Sequence, residues 1–416
     1  MPEVGAPGTS QKHGVRCAEY ATLAQIPPPR QHHPNSGERE PAPSIIRGQL
    51  PSLHTLRSSS DVMHALSLRA GPDALRLLRE RGLRAVDVDL MPAASGGPKW
   101  LAIAGLDRFL FRDFFDGPRA RPLHLVGSSI GSWRMACLAQ REPLAALERG
   151  HHAYIHDQRY SPKPSTAEVS VVLARVLDSL LGDSGVDDIL AHPWARLHII
   201  TSQGRGLART GSRTPLGSAL TAAAALNAFS RRSLALQFRR VIFSNAGETS
   251  PLRGVCDLPT TFVDLTASNL RDALRASGSI PMVIDGVSIA SAPGGLHWDG
   301  GVTDYHLDLD FGPGDGLVLY PHFYSHVVPG WFDKSLAWRR AGVGNFRRAL
   351  LLAPSDAFVA TLPNGRIPDR RDFFNLSESE RIMTWETIRA ASTALGEELG
   401  ELVLSGRIAE RVEPWV

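Results

Sequence analysis

A serine between two glycines is the clearest candidate for chemistry in this chain. The segment Gly127-Ser128-Ser129-Ile130-Gly131 follows an apolar run that is predicted to be a strand and precedes a run with helical spacing. In such a strand-turn-helix segment the third residue projects its hydroxyl from the edge of the sheet, and the flanking glycines remove side chains that would collide across the turn. The N–H groups at the start of the following helix then face a developing oxyanion. Ser129 is therefore the candidate nucleophile, and a glycine-serine loop without chemistry is the alternative.

A second glycine-rich segment, Ser95-Gly96-Gly97-Pro98-Lys99, also follows a predicted strand and precedes a predicted helix. Adjacent glycines let backbone N–H groups converge on an anion, because no Cβ stands in the way. Gly96 and Gly97 are therefore candidate donors of an oxyanion hole, whereas Pro98 has no N–H and suits the first turn of a helix. The alternative is a tight turn that binds nothing.

An aspartate followed by two glycines, in Trp298-Asp299-Gly300-Gly301, is the third candidate. This pattern is most often a plain turn. As part of a catalytic site, it places a carboxylate on a loop whose glycines, Gly300 and Gly301, permit close approach to another backbone. Asp299 would then accept the serine proton directly, as the base of a two-residue pair of nucleophile and base.

Strands and helices alternate around these segments. Strands are predicted at residues 85–91, 121–126, 197–202, 239–244, 260–265 and 317–320, and helices at 75–83, 100–110, 133–140, 165–181, 216–230 and 268–276. Ser377 with Glu380 three residues later is a capping-box pattern, which predicts the start of a long helix through Leu404. Alternation of this kind predicts an α/β fold with a mainly parallel sheet that helices cover on both faces.

The order of these segments resembles that of the patatin-like phospholipase family of lipid acyl hydrolases. Residues 95–100 correspond to the glycine-rich oxyanion loop of the family and residues 127–131 to its nucleophile turn. Residues 276–281 (ASGSIP) correspond to a block that lines the approach to the active site, and residues 299–301 to the Asp-Gly-Gly motif. Four blocks in the family's order are far more specific than any one of them.

The resemblance implies a three-layer α/β/α patatin-like fold with a mainly parallel central sheet. It also implies hydrolysis of carboxylic esters of lipids, either phospholipids or acyl glycerides, through a covalent acyl-enzyme. Ser129 would be the nucleophile, Asp299 the base, and Gly96 with Gly97 the oxyanion hole. No metal ion and no organic cofactor is expected.

Two positions of the oxyanion loop depart from the family pattern. Ser95 stands where the family has its first glycine, and Trp100 where it has its last. The two glycines between them, which matter most for backbone donation, are retained. The bulk of Trp100 changes the entrance to the site, so the preferred substrate is left open.

Two other functions remain open at this point. A conventional triad would use, in the chain order of α/β-hydrolases, Ser129, then Asp257, Asp264 or Asp299, then His306, His322 or His326. The resemblance argues against this triad, since a Ser–Asp pair needs no histidine. The other alternative is a catalytically silent lipid-binding protein on the same scaffold, although a binding protein does not need both members of the pair.

Composition and charge narrow the class of protein further. The 416 residues carry a net charge of only +3, so a dominating positive field and binding to nucleic acid are not expected. No apolar run approaches the roughly 18 residues of a membrane-spanning helix, and the distant Cys17, Cys137 and Cys256 do not resemble a disulfide framework. His152 and His156 have helical spacing but lack the glutamate of a zinc-protease motif. We therefore expect a cytoplasmic protein without a metal site, which meets membranes or lipid surfaces peripherally through its lipid ester substrate.

Proline, histidine and polar residues dominate the first 62 residues, with no helical or strand period. Such a segment buries too little apolar area to offset its ordering entropy, so a disordered tail is predicted. A second interpretation takes Met63 as the true start. Residues 63–416 are predicted to be one acyl hydrolase domain, with a helical C-terminal extension from about residue 335.

Overall fold

The structure of the protein is a computed structural model that describes residues 64–415. The predicted tail, residues 1–62, and the alternative start at Met63 lie outside the described residues. Within the described part of the chain, no helix is both long enough and apolar enough to cross a membrane.

Ten strands of the described chain form one sheet, in the order β10-β1-β9-β8-β2-β3-β4-β5-β6, with β7 paired to β4. Their bounds are β1 Leu66–Ala70, β2 Val88–Ala93, β3 Leu123–Ser128, β4 Ala195–Gly204, β5 Phe238–Ser244, β6 Thr260–Asp264, β7 His297–Asp299, β8 Leu317–Pro321, β9 Ala349–Pro354 and β10 Glu413–Pro414. The antiparallel pairs are β1 with β9, β4 with β5 and β4 with β7, and the other neighbours run parallel. The sequence-based prediction of a mainly parallel sheet is confirmed.

Helices cover the sheet. Their bounds are α1 Pro72–Arg81, α2 Ala104–Phe109, α3 Ile130–Leu138, α4 Pro143–His156, α5 Thr166–Leu181, α6 Gly185–Ala191, α7 Arg213–Asn227, α8 Leu270–Ser277, α9 Asp356–Thr361, α10 Asp372–Asn375, α11 Glu378–Ala391, α12 Thr393–Leu404 and α13 Ile408–Arg411. Every residue of β8 and β9 is buried. Because neighbouring side chains on a strand point to opposite faces, both faces of the sheet are covered, and the predicted three-layer α/β/α arrangement is confirmed.

One edge of β4 is shared by two strands. β3 pairs with β4 from Leu123 to Ser128, and Ser128 lies opposite Ile200. The next residue of β4, Thr201, lies opposite Asp299 of β7. Since the other edge of β4 is taken by β5 over His198–Gly204, β7 must continue along the edge that β3 leaves. The register therefore places the end of β7 beside the end of β3.

The predicted helix from Ser377 through Leu404 is interrupted in the structure. Its capping box is present, but α11 ends at Ala391 and α12 starts at Thr393. Gly105 of α2 lies against this junction, because its N–H donates to Ser392 Oγ at 2.9 Å and a Cβ on it would lie 2.0 Å from the Ser392 carbonyl oxygen. Close packing against α2 therefore accounts for the break.

The predicted helical extension from about residue 335 is incomplete as a description of that segment. It does contain α9 to α13, but it also supplies two strands of the central sheet, β9 between β1 and β8, and β10 at the edge. The β9 residues, ALLLAP, form a short apolar run without either a helical or an alternating period. Such a run indicates a strand buried on both faces only when its neighbours are known.

Candidate active site

Ser129 lies at the turn where the chain leaves β3 and enters α3. Its φ of 55° is in the left-handed region, which costs a residue with a side chain about 1–3 kcal/mol. Ser132 holds the turn, because its N–H and its hydroxyl donate to the Ser129 carbonyl oxygen at 2.9 and 2.7 Å. The strained strand-turn-helix geometry that projects a serine from a sheet is therefore present at Ser129.

The two glycines that flank the turn are required because neither position has room for a side chain. A Cβ on Gly127 would lie 2.3 Å from Ser132 Cα, and a Cβ on Gly131 would lie 2.0 Å from the Ala93 carbonyl oxygen. Both contacts are with backbone atoms, which cannot move aside as a flexible side chain does. Any side chain at either position would push the turn away from β2 or from the first turn of α3.

Asp299, at the end of β7, meets Ser129 there. The Ser129 hydroxyl donates to Asp299 Oδ2 at 2.7 Å, although the two residues are 170 positions apart in the chain. The other carboxylate oxygen, Oδ1, accepts the N–H of Gly301 at 2.7 Å, which fixes the orientation of the carboxylate. Ser129 and Asp299 are only 4% and 5% exposed, so both groups meet in a nearly water-free environment.

The glycines after Asp299 allow this close approach. A Cβ on Gly300 would lie 2.2 Å from the Ile200 carbonyl oxygen, and a Cβ on Gly301 would lie 2.7 Å from Ser95 Oγ. The loop therefore packs directly on β4 and on the first residue of the glycine-rich segment at 95–99.

The segment 276–281 holds both members of the pair in place. Ser277 Oγ accepts the Ser129 N–H at 2.9 Å and donates to the Ile200 carbonyl oxygen at 2.7 Å. The Asp299 N–H donates to the Ser279 carbonyl oxygen at 2.8 Å. The segment that the sequence associates with the approach to the site thus contacts the backbone of each candidate residue.

The pKa of the Asp299 carboxyl group lies above its usual range. Burial raises it, because a charged carboxylate loses water around it. The positive charge of Arg370, the hydrogen bonds from Ser129 and Gly301, and the charge of Lys334 lower it in part. A carboxylate with a raised pKa takes up a proton more readily, which suits a general base.

The glycine-rich segment lies next to the serine turn. Ser95 Oγ is 2.9 Å from Ser128 Oγ, so the segment is joined to the residue before Ser129. Gly97 has a φ of 57°, which favours glycine. A Cβ on Gly96 would lie 2.6 Å from Phe323 Cζ, so this position has no room for a side chain. The structure thus brings Gly96 and Gly97 to the same edge of the sheet as the candidate pair.

No histidine of the described chain hydrogen-bonds to Ser129 or Asp299, whose carboxylate already binds a hydroxyl and a backbone N–H. The triad candidates are His306, His322 and His326. The first two use Nδ1 to accept backbone N–H groups at 3.0 and 2.8 Å. Burial lowers the pKa of all three imidazoles, that of His322 to about 3. The geometry brings together a Ser–Asp pair without a histidine.

Two cations beside the pair were not predicted from the sequence. A Cβ on Gly97 would lie 3.0 Å from Arg370 Nε, so the guanidinium group stands against the glycine-rich segment. Lys334 Nζ lies 4.0 Å from the centroid of the Tyr305 ring. Both residues come from segments without a recognisable motif. The one sequence signal that could have pointed to Lys334 is the rarity of lysine. The chain has only 4 lysines, and two of them, Lys99 and Lys334, lie near the candidate site.

The described residues contain no group of three or more His, Cys, Asp or Glu placed to hold a metal ion. The rings of His152 and His156 are 4.6 Å apart, and His156 Nε2 lies 3.0 Å from Glu386 Oε1. Cys137 and Cys256, which also belong to the described residues, are free thiols.

A family sequence model matches the part of the chain that contains Ser129 and Asp299. The sequence model of the patatin-like phospholipase family, Patatin, matches residues 94–306, which is half of the chain. Among solved structures, the chain is similar to the type III effector protein ExoU, with 16% identity and a TM-score of 0.27 over 75% of this chain and 53% of that one. The chain thus spans about half the length of that effector. No curated protein matches it. The chain belongs to the patatin-like phospholipase family.

Proposed function

We propose that this protein is a serine-nucleophile lipid acyl hydrolase that cleaves carboxylic ester bonds of phospholipids or acyl glycerides. The observation that carries the proposal is the 2.7 Å hydrogen bond from the Ser129 hydroxyl to Asp299 Oδ2 in a nearly closed site. A buried carboxylate with a raised pKa, aimed at a strained serine, is the arrangement that activates a hydroxyl without histidine.

Acylation begins when Ser129 Oγ attacks the acyl carbonyl carbon and its proton moves to Asp299 Oδ2. The C–O π electrons move to the carbonyl oxygen, which becomes a tetrahedral oxyanion. When this intermediate collapses, the bond to the leaving alcohol breaks and Asp299 returns the proton to the alcohol oxygen. The acyl group is then esterified to Ser129, and the carboxylate is ready for the second half of the reaction.

Deacylation repeats the same steps with water. Asp299 takes a proton from a water molecule as its oxygen attacks the acyl-enzyme, and it returns that proton to Ser129 Oγ as the fatty acid leaves. In both halves, we propose that the N–H groups of Gly96 and Gly97 and the start of α3 stabilise the oxyanion. Loss of one such donor typically costs about 10²–10³ in turnover.

Two single hydroxyl deletions test the proposal. Ser129→Ala should remove covalent labelling by a fluorophosphonate probe and lower kcat on a lipid ester by at least about 10⁴-fold, as expected when the nucleophile is lost. Ser128→Ala is the matched control, because it removes a buried hydroxyl one residue away that binds Ser95 instead of the carboxylate. Mass spectrometry of the labelled peptide should place the probe on Ser129 in that control.

The two alternatives give different results in the same experiment. A silent lipid-binding protein takes no covalent label although it folds. A Ser–His–Asp esterase loses its label when a histidine is replaced. Of the three carboxylates considered for that triad, Asp257 is bound by Arg240 at 2.7 Å and Asp264 is exposed at the end of β6, whereas Asp299 accepts the serine hydroxyl.

We also propose that the protein meets its substrate at a lipid surface through an apolar patch formed by Leu226, Phe229 and Trp338. These side chains are 43%, 89% and 71% exposed. Arg339 ties the segment of Trp338 to the end of α7, because its Nη2 donates to the Asn227 carbonyl oxygen at 2.9 Å. Large apolar side chains that are exposed next to one another mark interaction surfaces.

The charge around this apolar patch favours an anionic lipid surface. The exposed Arg232 and Arg340 flank it in the chain. Aromatic side chains with neighbouring arginines suit the boundary between acyl chains and anionic headgroups. The same segment, 331–340, carries Lys334, so the patch lies in the chain close to a cation of the candidate site.

A further inference from the structure

Within the described residues, the side chain of Arg370 has no partner, although it lies beside the candidate active site. Its guanidinium group forms no hydrogen bond and no ion pair with any of those residues, and Arg370 is partly buried. Its Nε lies 3.0 Å from the position that a Cβ on Gly97 would take. Its charge is the strongest of the neighbouring influences that lower the pKa of Asp299. Partly buried charges are normally paired, so an arginine left free at this place points to a missing anion.

The loop that carries Arg370 is firmly held on both sides. Asp372, which is fully buried, accepts the Asp369 N–H at 3.0 Å and the Trp385 indole N–H at 2.9 Å, and it pairs with Arg366. Asp369 in turn forms an ion pair with Lys99 of the glycine-rich segment. The loop that positions Arg370 is therefore anchored by buried contacts.

Lys334 is the second cation at this place. Its Nζ lies 4.0 Å from the Tyr305 ring centroid, and the Tyr305 carbonyl oxygen accepts the Ser95 N–H at 2.8 Å. Tyr305 therefore links Lys334 to the glycine-rich segment. The residue Lys334 is itself exposed to solvent. Burial and then the charges of Arg370 and Lys99 lower the pKa of Lys334, whereas the charges of Asp369 and Asp299 raise it in part.

The charges of the site do not balance within the protein. Asp369 forms ion pairs with both Lys99 and Arg371. Arg370 and Lys334 then face one carboxylate, Asp299, whose two oxygens are taken by Ser129 and Gly301. An additional negative group is therefore needed to satisfy both cations, and the substrate is the molecule that enters here.

We propose that Arg370 and Lys334 form an anion subsite that binds the phosphate of a lipid whose headgroup carries a net negative charge. The proposal rests on the lipid acyl hydrolase function proposed above and specifies its substrate. The planar guanidinium group of Arg370 donates two parallel N–H bonds to phosphate oxygens, and Lys334 adds a point charge. Both cations come from outside residues 94–306, the part that the family model matches.

A zwitterionic headgroup fits this subsite less well than an anionic one. A phosphocholine brings a quaternary ammonium group, which would have to sit against an aromatic ring or a carboxylate. Lys334 already lies over the Tyr305 ring and 5.7 Å from the Trp331 ring centroid, so these aromatic faces carry a cation. Like charges in the same place repel each other. An uncharged diacylglycerol, for its part, leaves both cations unpaired.

The experiment compares three lipids with the same short acyl chains, each below its critical micelle concentration, so that surface binding plays no part. Three substrates are compared: dihexanoyl phosphatidate, dihexanoyl phosphatidylcholine and dihexanoylglycerol. Their hydrolysis is measured for the full chain and for the Arg370→Gln and Lys334→Gln variants. We expect the wild type to prefer phosphatidate. Each variant should lower the ratio of kcat/KM for phosphatidate to that for dihexanoylglycerol by about tenfold to a hundredfold, mainly through KM, as for loss of a charged hydrogen bond.

Arg371→Gln is the matched control, because it removes the same charge from the neighbouring, exposed position, where the guanidinium group is already paired with Asp369. The proposal is overturned if Arg370→Gln lowers kcat/KM equally for all three lipids, since Arg370 would then act only through Asp299. A preference of the wild type for phosphatidylcholine overturns it as well, and so does an equal effect of Arg371→Gln.

If the wild type hydrolyses none of the three lipids, the proposed hydrolase function fails, and the subsite is tested by binding alone. Dihexanoyl phosphatidate is titrated into the Ser129→Ala protein in a calorimeter, with and without Arg370→Gln. Binding that is lost in the second protein supports the subsite, and absence of binding in the first refutes it.

Discussion

Asp299 is held between two opposing influences that together set its basicity. Burial favours the neutral carboxyl group, whereas Arg370 and the hydrogen bond from Ser129 favour the carboxylate. The net result is a raised pKa, so the carboxylate takes up a proton more readily than an exposed carboxylate does. In the proposed mechanism, this balance takes the place of the imidazole that other serine hydrolases use.

The fall of kcat/KM at acidic pH, the acid limb of its pH profile, should report the pKa of Asp299. In the proposed mechanism Asp299 accepts the serine proton only when it is ionised. The value of kcat/KM for dihexanoylglycerol should therefore rise as pH increases through the raised pKa of Asp299. Arg370 lowers this pKa, so its removal in Arg370→Gln raises the pKa further. The acid limb should therefore move to higher pH in the variant, whereas the limb of Arg371→Gln should stay in place.

The neutral substrate keeps this measurement apart from headgroup binding. An acid limb that does not move in Arg370→Gln would show that the charge of Arg370 does not reach the ionising group. An acid limb that persists in Asp299→Asn, at whatever residual rate, would show that another group is the base.

The elements that carry Ser129 are those that the sequence predicts best. The apolar run of β3, the glycine after it and the helical spacing of α3 are local signals, and the structure has all three within a few residues of the predicted bounds. The Asp299 strand is different. β7 has only three residues, and it is a strand because Asp299 pairs with Thr201 of β4. A segment of three residues is too short to show the alternation of apolar and polar residues that predicts a strand.

The cations of the site could not be predicted for a related reason. Arg370 lies in a short connecting segment whose position depends on the ion pair of Lys99 with Asp369, 270 positions apart in the chain. The segment of Lys334 is held through the neighbouring Asp333, whose carboxylate accepts a hydrogen bond from Asn227, 106 positions away. A sequence pattern identifies a residue type suited to chemistry, but only tertiary contacts show which free charges stand beside it.

Two glycine-to-alanine substitutions should have opposite effects on stability. Gly131→Ala places a Cβ 2.0 Å from the Ala93 carbonyl oxygen, so we expect a loss of about 1–3 kcal/mol or more in the free energy of unfolding. Gly217 lies inside α7 and a Cβ on it meets nothing within 4 Å, so Gly217→Ala should gain about 0.5–1 kcal/mol from helix propensity. Denaturant unfolding of both variants measures the difference, and equal stability would contradict the tight contact between β2 and α3.

The molecule as a whole assembles its candidate site from distant parts of the chain at one edge of β4. β3 and β7 bring the serine and the aspartate, the segment at 95–99 brings the glycines, and the segments at 331–340 and 366–372 add the cations. The segment with Lys334 also carries Trp338, which lies next to the residue tied to the end of α7. The proposed headgroup subsite and the proposed lipid-surface contact are therefore connected through one short stretch of chain.

Replacing two exposed aromatic side chains tests this contact. Phe229→Ser with Trp338→Ser should weaken binding to vesicles that contain anionic lipid by about tenfold for each residue, because each aromatic ring buries apolar area at the interface. Hydrolysis of vesicle lipid should fall in parallel, while hydrolysis of monomeric dihexanoyl phosphatidate should change far less. Leu404→Ser, at an 89% exposed position that ends α12, is the matched control. Flotation of the proteins with vesicles at increasing salt measures binding, and equal flotation of the double variant and the wild type would refute the role of the patch.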